Sequence, residues 1–445
     1  MGRQVFQTDS RSRWNKFLWT VRTILVVIAL LVLVFVTMFF IDRSPNFPFK
    51  DSFRSAMTAD KPFMRKNKLA EEYKGYRSFF QGEKAHLRYH RWRTQKERKI
   101  NRFAGQKGSP FYKYVNSWTE MPAGIRSAFY VNWDPQSYAS LKQCISKLNL
   151  VIPEWIYIDP STAKIKVNID GKGLALMKKA GVPIMPMLSN AWHGEFSAKG
   201  IERILHDRAK SKDLINQLAT LCRKHHFAGI NLDLEELSDN DNVYLTSFVR
   251  NLTDIFHDNG LYVTQDIMPN NEDYDISELA KYDDYLFLMA YDEHNSLSEP
   301  GDISSQQFIE RSVDQVAAHI PNEKIVLCMA AYGYDWTPKG DDNQSISYHD
   351  ALSMAADCQD KIIFDEDTYG LNFAYYDDRN IRHQIYFNDA ATHFNTMRFG
   401  ADYGLAGFAV WRLGTEDSRL WQFFARDMTR DRAVRMTVGD LEHLH

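Results

Sequence analysis

The stretch Phe227-Ala228-Gly229-Ile230-Asn231-Leu232-Asp233-Leu234-Glu235-Glu236 decides how this chain is read. Apolar Ile230, Leu232 and Leu234 alternate with polar Asn231, Asp233 and Glu235. Successive side chains of a β-strand point to opposite faces, so the three polar groups share one face and the aliphatic ones the other. Burying that polar face brings two carboxylic acids out of water together. The desolvation is costly, and mutual repulsion raises the pKa of one of them. A carboxylic acid that stays protonated near neutral pH is equipped to act as a general acid. The alternative is a polar edge facing solvent.

Working outward, apolar runs at 124–133, 150–159, 183–190, 227–235, 261–269, 285–292, 324–334 and 404–413 read as strands. Between them, 212–224, 243–257 and 305–320 carry apolar residues at helical spacing. Alternating strands and helices imply parallel βαβ units. Eight units predict a (β/α)8 TIM barrel, which needs about 250 residues plus insertions. A doubly wound open sheet would want a glycine-rich phosphate loop after an early strand, and the sequence has none there. The long spacing between runs seven and eight predicts an inserted subdomain at 337–403, with small strands at 361–364, 372–376 and 384–387.

Barrel chemistry sits at the C-terminal ends of the strands. The residues falling there are Trp133, Asn190, Asp233 and Glu235, Gln265, Tyr291 and Asp292, Tyr332 and Tyr334, and Trp411. Each alone has a structural reading, since Trp and Tyr often cap barrels. Their joint placement points to one site. Glu236, next to Glu235, belongs by alternation to the opposite face.

The remaining chain sets the context. Ile24 to Ile41 is an unbroken apolar run without charge or proline. Extended to 18–41 it is long enough to span a bilayer, which takes about 20 residues. Arg3, Arg11, Arg13, Lys16 and Arg22 precede it and favour a cytoplasmic N-terminus at 1–17. The run is too long for a signal-peptide core of about 7–15 residues, and no small-x-small cleavage site follows. An uncleaved anchor is therefore expected, followed by a basic stalk or linker at 42–110, a barrel domain at 111–429 and a tail at 430–445. The stalk composition suits a helix, a solvated linker or a segment lying on an anionic surface. Lys+Arg of 54 against Asp+Glu of 57 is close to balance, so no nucleic-acid partner is expected. Cys144, Cys222, Cys328 and Cys358 fit neither a disulfide framework nor a zinc site, and four thiols are expected.

Gly229-Ile-Asn-Leu-Asp-Leu-Glu235 resembles the fourth-strand signature of the chitinase-like glycoside hydrolases of family 18, whose usual form is Asp-Gly-x-Asp-x-Asp-x-Glu. Met289-Ala-Tyr-Asp292 resembles their sixth-strand Met-x-Tyr-Asp, and Trp411 falls where their eighth-strand tryptophan floors the sugar site. Coverage runs from about Gly124 to Phe424. The surroundings of Tyr332-Gly-Tyr-Asp-Trp336 and Trp411 are similar to extracytoplasmic chitinase-like domains of bacterial polysaccharide synthase assemblies. That likeness implies a single-pass protein of the bacterial cytoplasmic membrane with its barrel on the extracytoplasmic (periplasmic) side. It also implies a glycosyltransferase or polysaccharide deacetylase as partner. Two positions depart from the pattern: Ala228 stands for the first Asp and Asn231 for the second.

The resemblance implies substrate-assisted retaining hydrolysis of an N-acetylglucosamine-containing polysaccharide, without metal or organic cofactor. Glu235 would protonate the glycosidic oxygen. Asp233 would orient the acetamido group, and Tyr291 would donate to its oxygen. Asn231, Asp292, Trp411, Trp133, Asn190, Gln265, Met289, Tyr332 and Tyr334 would bind substrate. The competing readings are a non-catalytic carbohydrate-binding barrel serving exopolysaccharide synthesis or export, and an assembly scaffold.

Overall fold

In the computed structural model the described residues are 19–28 and 124–428, with 239–241, 272, 341–342, 366–367 and 427 outside them. Residues 19–28 are helical and exposed, with Trp19 and Ile24 among the exposed apolar side chains. Among the described residues no helix is long and apolar enough to cross a membrane. The rest of the expected anchor, the stalk at 42–110 and the tail at 430–445 lie outside the described residues.

All eight runs form strands, here numbered in barrel order. They are β1 (Ile125–Tyr130), β2 (Leu150–Ile158), β3 (Met187–Ser189), β4 (Gly229–Asp233), β5 (Tyr262–Ile267), β6 (Tyr285–Met289), β7 (Ile325–Ala330) and β8 (Gly407–Trp411). Each pairs in parallel with its neighbours, and β8 and β2 both pair with β1, so the sheet closes. The (β/α)8 barrel is as expected. A short strand, Ile165–Val167, adds antiparallel to β2.

Closure separates two apolar layers by the period of two. Ile230, Leu232 and Leu234 are fully buried against the outer helices, sharing a cluster with Leu214, Ile215, Leu218 and Cys222 of helix Arg208–His225. Those helix positions recur at three and four residues, which builds one apolar stripe. Asp207 starts this helix by accepting the backbone N–H groups of Ala209 and Lys210. The alternate residues of the strands, such as Phe129, Ile152, Met187, Phe287 and Cys328, fill the barrel interior.

At Gly229 the backbone of β5 stands close against β4. A Cβ there would lie 2.1 Å from the Tyr262 carbonyl oxygen and 2.7 Å from its carbon. Backbone cannot swing aside as a side-chain tip can. Gly229→Ala is therefore expected to destabilise the barrel by about 3 kcal/mol, at the upper end of overpacking costs. Its denaturation midpoint, compared with wild type, measures this; an unchanged midpoint would mean that the strands separate freely.

The insertion follows β7 immediately. Strands Gln344–Ile346, Gly333–Trp336, Arg382–Phe387, Leu371–Tyr376 and Ile363–Phe364 make a five-stranded antiparallel sheet covered by helix Tyr348–Cys358. Its own core includes Ile346, Ala351, Leu371, Phe373, Ile385 and Phe387. The three small strands expected at 361–364, 372–376 and 384–387 are among them. The edges differ from expectation. The apolar run at 324–334 is split, because the chain leaves the barrel after Ala330 and Gly333 begins the insertion sheet. Helix Ala390–Tyr403 belongs to the barrel, packing Phe394, Met397 and Phe399 into the outer layer. Trp336 Nε1 donates to the Asn295 carbonyl (3.0 Å), tying the insertion to the loop after β6.

Candidate active site

The site is at the C-terminal mouth of the barrel and starts from β4. Asn231 and Asp233 point inward and are buried, while Glu235 lies two residues beyond Asp233 and is half-buried. Ser189 lies opposite Asp233 on β3, and its hydroxyl donates to Asp233 Oδ2 (3.0 Å). Asn190 clamps the Glu235 backbone: its Nδ2 donates to the Glu235 carbonyl (2.8 Å), and its Oδ1 accepts the Glu235 N–H (3.0 Å). Expected as a substrate ligand, Asn190 is thus spent on holding the acid in place. Glu236 is exposed, with φ 54° in the left-handed region.

Burial raises the Glu235 pKa most, and the Asp233 charge and a shared hydrogen bond with Asp233 raise it further. Asp233 is also raised by burial, but the Ser189 and Glu235 hydrogen bonds pull it back. The charge of the pair therefore rests on Asp233 and the proton on Glu235. That is the division of labour expected of a general acid and its charged neighbour.

Register corrects one expected residue. On β5, Gln265 shares its face with Val263 and Ile267, which pack in the outer layer, so it does not enter the site. It is fully buried, and neither its Oε1 nor its Nε2 has a partner among the described residues. The period of two puts Thr264 and Asp266 inside instead. Asn231 Nδ2 donates to Thr264 Oγ1 (3.1 Å) and Asp266 Oδ1 (3.0 Å). Leu232 pairs with Gln265, so Asp266 follows level with Asp233 on the adjacent strand, where neighbouring backbones generally run about 4.8 Å apart. Burial, then the Asp233 charge, drives the Asp266 pKa up. Asn231 is thus part of an internal network rather than a lone polar group. Asp266 brings an acidic neighbour to Asp233 although position 231 is an amide.

The walls come from the remaining strand ends. Met289 lies in the inner cluster, with Tyr291 and Trp411 packed against it. Trp411 contacts Phe129 edge-on, ring centroids 5.2 Å apart. Burial raises the Tyr291 pKa and keeps its hydroxyl a donor. Asp292 is in the left-handed region (φ 57°) and accepts the Tyr332 hydroxyl at 2.5 Å and the Tyr334 hydroxyl at 3.1 Å. The two tyrosines therefore hold Asp292. On the other side, Trp133 Nε1 donates to Glu154 Oε2 (2.9 Å). Burial pushes Glu154 up to about 7, opposed by the Trp133 bond and raised further by Asp233. Ser189, Glu154 and Asp266 were missed from the sequence. The alternation used on β4 finds Asp266 once β5 is phased on Val263. Among the described residues no group of three or more His, Cys, Asp or Glu side chains is arranged to hold a metal ion.

Comparison with known proteins agrees with this geometry. The model of the glycosyl hydrolases family 18 matches residues 128–416. The uncharacterized glycosylase YvbX of Bacillus subtilis is 24% identical over 315 residues, 68% of this chain and 91% of that protein. The cortical fragment-lytic enzyme of Bacillus subtilis is 24% identical over 260 residues, 56% of this chain and 60% of that protein. A class V chitinase mutant from Nicotiana tobaccum, solved in complex with NAG4, superposes with a TM-score of 0.60 at 15% identity, covering 68% of this chain and 99% of that one. The family match spans the barrel from β1 to beyond β8, more than half of the chain, and takes in both site carboxylates. The chain belongs to the glycosyl hydrolases family 18.

Proposed function

We propose that the protein is a glycosidase that cleaves an N-acetylglucosamine-containing polysaccharide by substrate-assisted retaining hydrolysis. One observation carries this reading: Glu235 is held by Asn190 beside the inward carboxylate of Asp233, in surroundings that keep Glu235 protonated. Glu235 gives its proton to the glycosidic oxygen as the bond to the anomeric carbon breaks. The acetamido carbonyl oxygen of the same sugar attacks that carbon and forms an oxazolinium ion. Asp233 accepts the acetamido N–H and offsets the positive charge. Tyr291 donates to the acetamido oxygen, Trp411 stacks beneath the ring and Asp292 takes sugar hydroxyls. Water then adds to the anomeric carbon, giving its proton to the Glu235 carboxylate and restoring the acid.

The same proposal places the barrel outside the bacterial cytoplasmic membrane, anchored by 18–41. The apolar run and its N-terminal arginines support that placement. A glycosyltransferase or polysaccharide deacetylase in the same membrane is the partner class proposed to act on the glycan. Purified protein incubated with an N-acetylglucosamine tetramer is expected to release β-anomers first, seen by proton NMR before mutarotation. Initial α-anomers would exclude the retaining route. Binding without turnover would leave the carbohydrate-binding reading.

A further inference from the structure

Charge is unevenly spread over the floor of the barrel, the face opposite the mouth, where each helix ends and the next strand begins. Helix Pro135–Cys144, after β1, ends with Lys142, and Lys147 follows it before β2. Helix Gly171–Ala180, after β2, ends with Lys178 and Lys179. Helix Arg208–His225, after β3, ends with Arg223, Lys224 and His225. Strands β1 to β4 are consecutive in the sheet, so these three ends are neighbours. Lys142, Lys147, Lys178, Lys179, Arg223 and Lys224 are exposed, and among the described residues none of them pairs with a carboxylate. Arg223 bonds only the neutral Asn259 and Thr220 side chains. Burial, then the charges of Lys224 and Lys178, hold the His225 pKa below its ordinary value, so positive charge from two helices converges there.

A cation in the last turn offsets the helix dipole, but that reason applies to every helix alike. The helices after β6 and β7, Gln306–Ala317 and Ala390–Tyr403, have no cation in their last turns. After β4, His257 is held by the buried Asp284. Lys281 pairs with Glu278, and Lys324 donates to the Ala280 and Asp283 carbonyls. Uncompensated charge is therefore gathered on one side of the floor, as a broad rim of exposed helix ends. Like charges gathered without carboxylates repel one another, and an anionic surface relieves that repulsion. Two observations choose the surface. Strand β1 opens at the floor, at Ile125, so the chain carrying the apolar run 18–41 joins the barrel on this side. The opposite end gathers the carboxyls of Asp233, Glu235, Asp266 and Asp292, so an anionic plane attracts the floor and repels the mouth. We infer that the basic side of the floor lies on the anionic lipid headgroups of the membrane that holds the apolar run, with the mouth turned away toward the glycan. The identity of the surface rests on the membrane placement proposed above.

The test uses the full chain reconstituted in vesicles of phosphatidylcholine alone and of phosphatidylcholine with about 30% phosphatidylglycerol. A membrane-impermeant amine-acetylating reagent, read by mass spectrometry, gives the modification rate of each lysine. Lys142, Lys147, Lys178, Lys179 and Lys224 are expected to react about 5-fold more slowly on the anionic vesicles, the factor that one cation near such a surface contributes. Lys164 and Lys199, exposed at the mouth end, are expected to react alike on both. Salt at about 0.5 M, which shortens the screening length to a few ångströms, is expected to abolish the difference. Lys178→Glu/Lys179→Glu/Lys224→Glu is expected to remove the protection of Lys142 and Lys147 while circular dichroism shows the native fold. The milder Lys178→Gln/Lys179→Gln/Lys224→Gln serves where the reversal disturbs folding. Equal rates on the two lipids, equal protection of Lys164 and Lys199, or protection that survives salt would each overturn the inference. So would protection by polyphosphate on neutral vesicles with none from phosphatidylglycerol, which would make the partner a soluble polyanion. If an alkaline carbonate wash strips the protein from both vesicles and anionic lipid still protects the floor, the anchor reading fails and the floor surface stands. If the protein survives the wash and its floor lysines react alike on both lipids, the floor surface fails and the anchor reading stands.

Discussion

Glu235→Gln is expected to lower turnover of an N-acetylglucosamine tetramer by about 10³-fold while leaving its binding nearly intact, the range general-acid catalysis supplies. Glutamine keeps the shape of the side chain and cannot give up a proton. The Asn190 clamp grips backbone atoms only, so the segment stays in place. Initial rates with calorimetric affinities check both halves. Retained turnover would move the acid elsewhere, and lost binding would mean that the substitution disturbs the cleft. The raised pKa adds a pH signature. Wild-type activity should persist through neutral pH, where an ordinary glutamic acid is already ionised, and fall as pH rises through the folded-state pKa of Glu235. Stability follows the same sign. A carboxyl raised on folding contributes stability that is complete below its unfolded pKa, about 4.3. That contribution is lost as pH rises toward the folded value. Glu235→Gln should remove the loss, so its denaturation midpoint relative to wild type should improve on the alkaline side.

Asp233→Asn is expected to cost about 10²- to 10³-fold in kcat, the size seen when one preorganised electrostatic partner of a developing charge is removed. Its second effect is more diagnostic. The Asp233 charge is one of the causes that raise Glu235, after burial. Neutralising it should let Glu235 ionise more easily and move the alkaline limb of the rate profile to lower pH. A limb that stays put, or moves upward, would show that Asp233 does not govern the acid. Asp266 bears on the result, since it lies level with Asp233 and bonds to Asn231. It leaves a carboxyl beside residue 233 in the variant, so the limb should move without vanishing.

Much of this was legible along the chain. The eight apolar runs mapped onto eight strands because a buried parallel strand must be apolar and bounded by turns, whatever its partners. Trp133, Tyr291, Asp292, Tyr332, Tyr334 and Trp411 came together for a related reason: barrel closure brings all strand ends to one mouth. What failed did so in the phase of one strand, in one contact and at the edges of the insertion. Gln265 was placed in the site and Asp266 left out because Thr264-Gln265-Asp266 is polar throughout, and alternation has no phase until an apolar neighbour is assigned to a layer. Asn190 was given to substrate because its type suits a sugar, and only the fold shows its amide spent on Glu235. The seventh apolar run was carried past its barrel strand, and the insertion begun too late, because Gly333–Trp336 continues the apolar texture of β7 while pairing with Arg382–Phe387.

The sequence by itself determined the barrel, the phase of β4 and hence the pairing of Asp233 with Glu235 on one face. Those are consequences of period and composition, which are local. Tertiary structure alone decided which groups surround that pair: Ser189, Asp266 and Asn190 from adjoining strands, and Glu154 beneath Trp133. Proton affinity depends on burial and on charges a few ångströms away. Those neighbours are tens of residues distant in the chain, brought together only by lateral register.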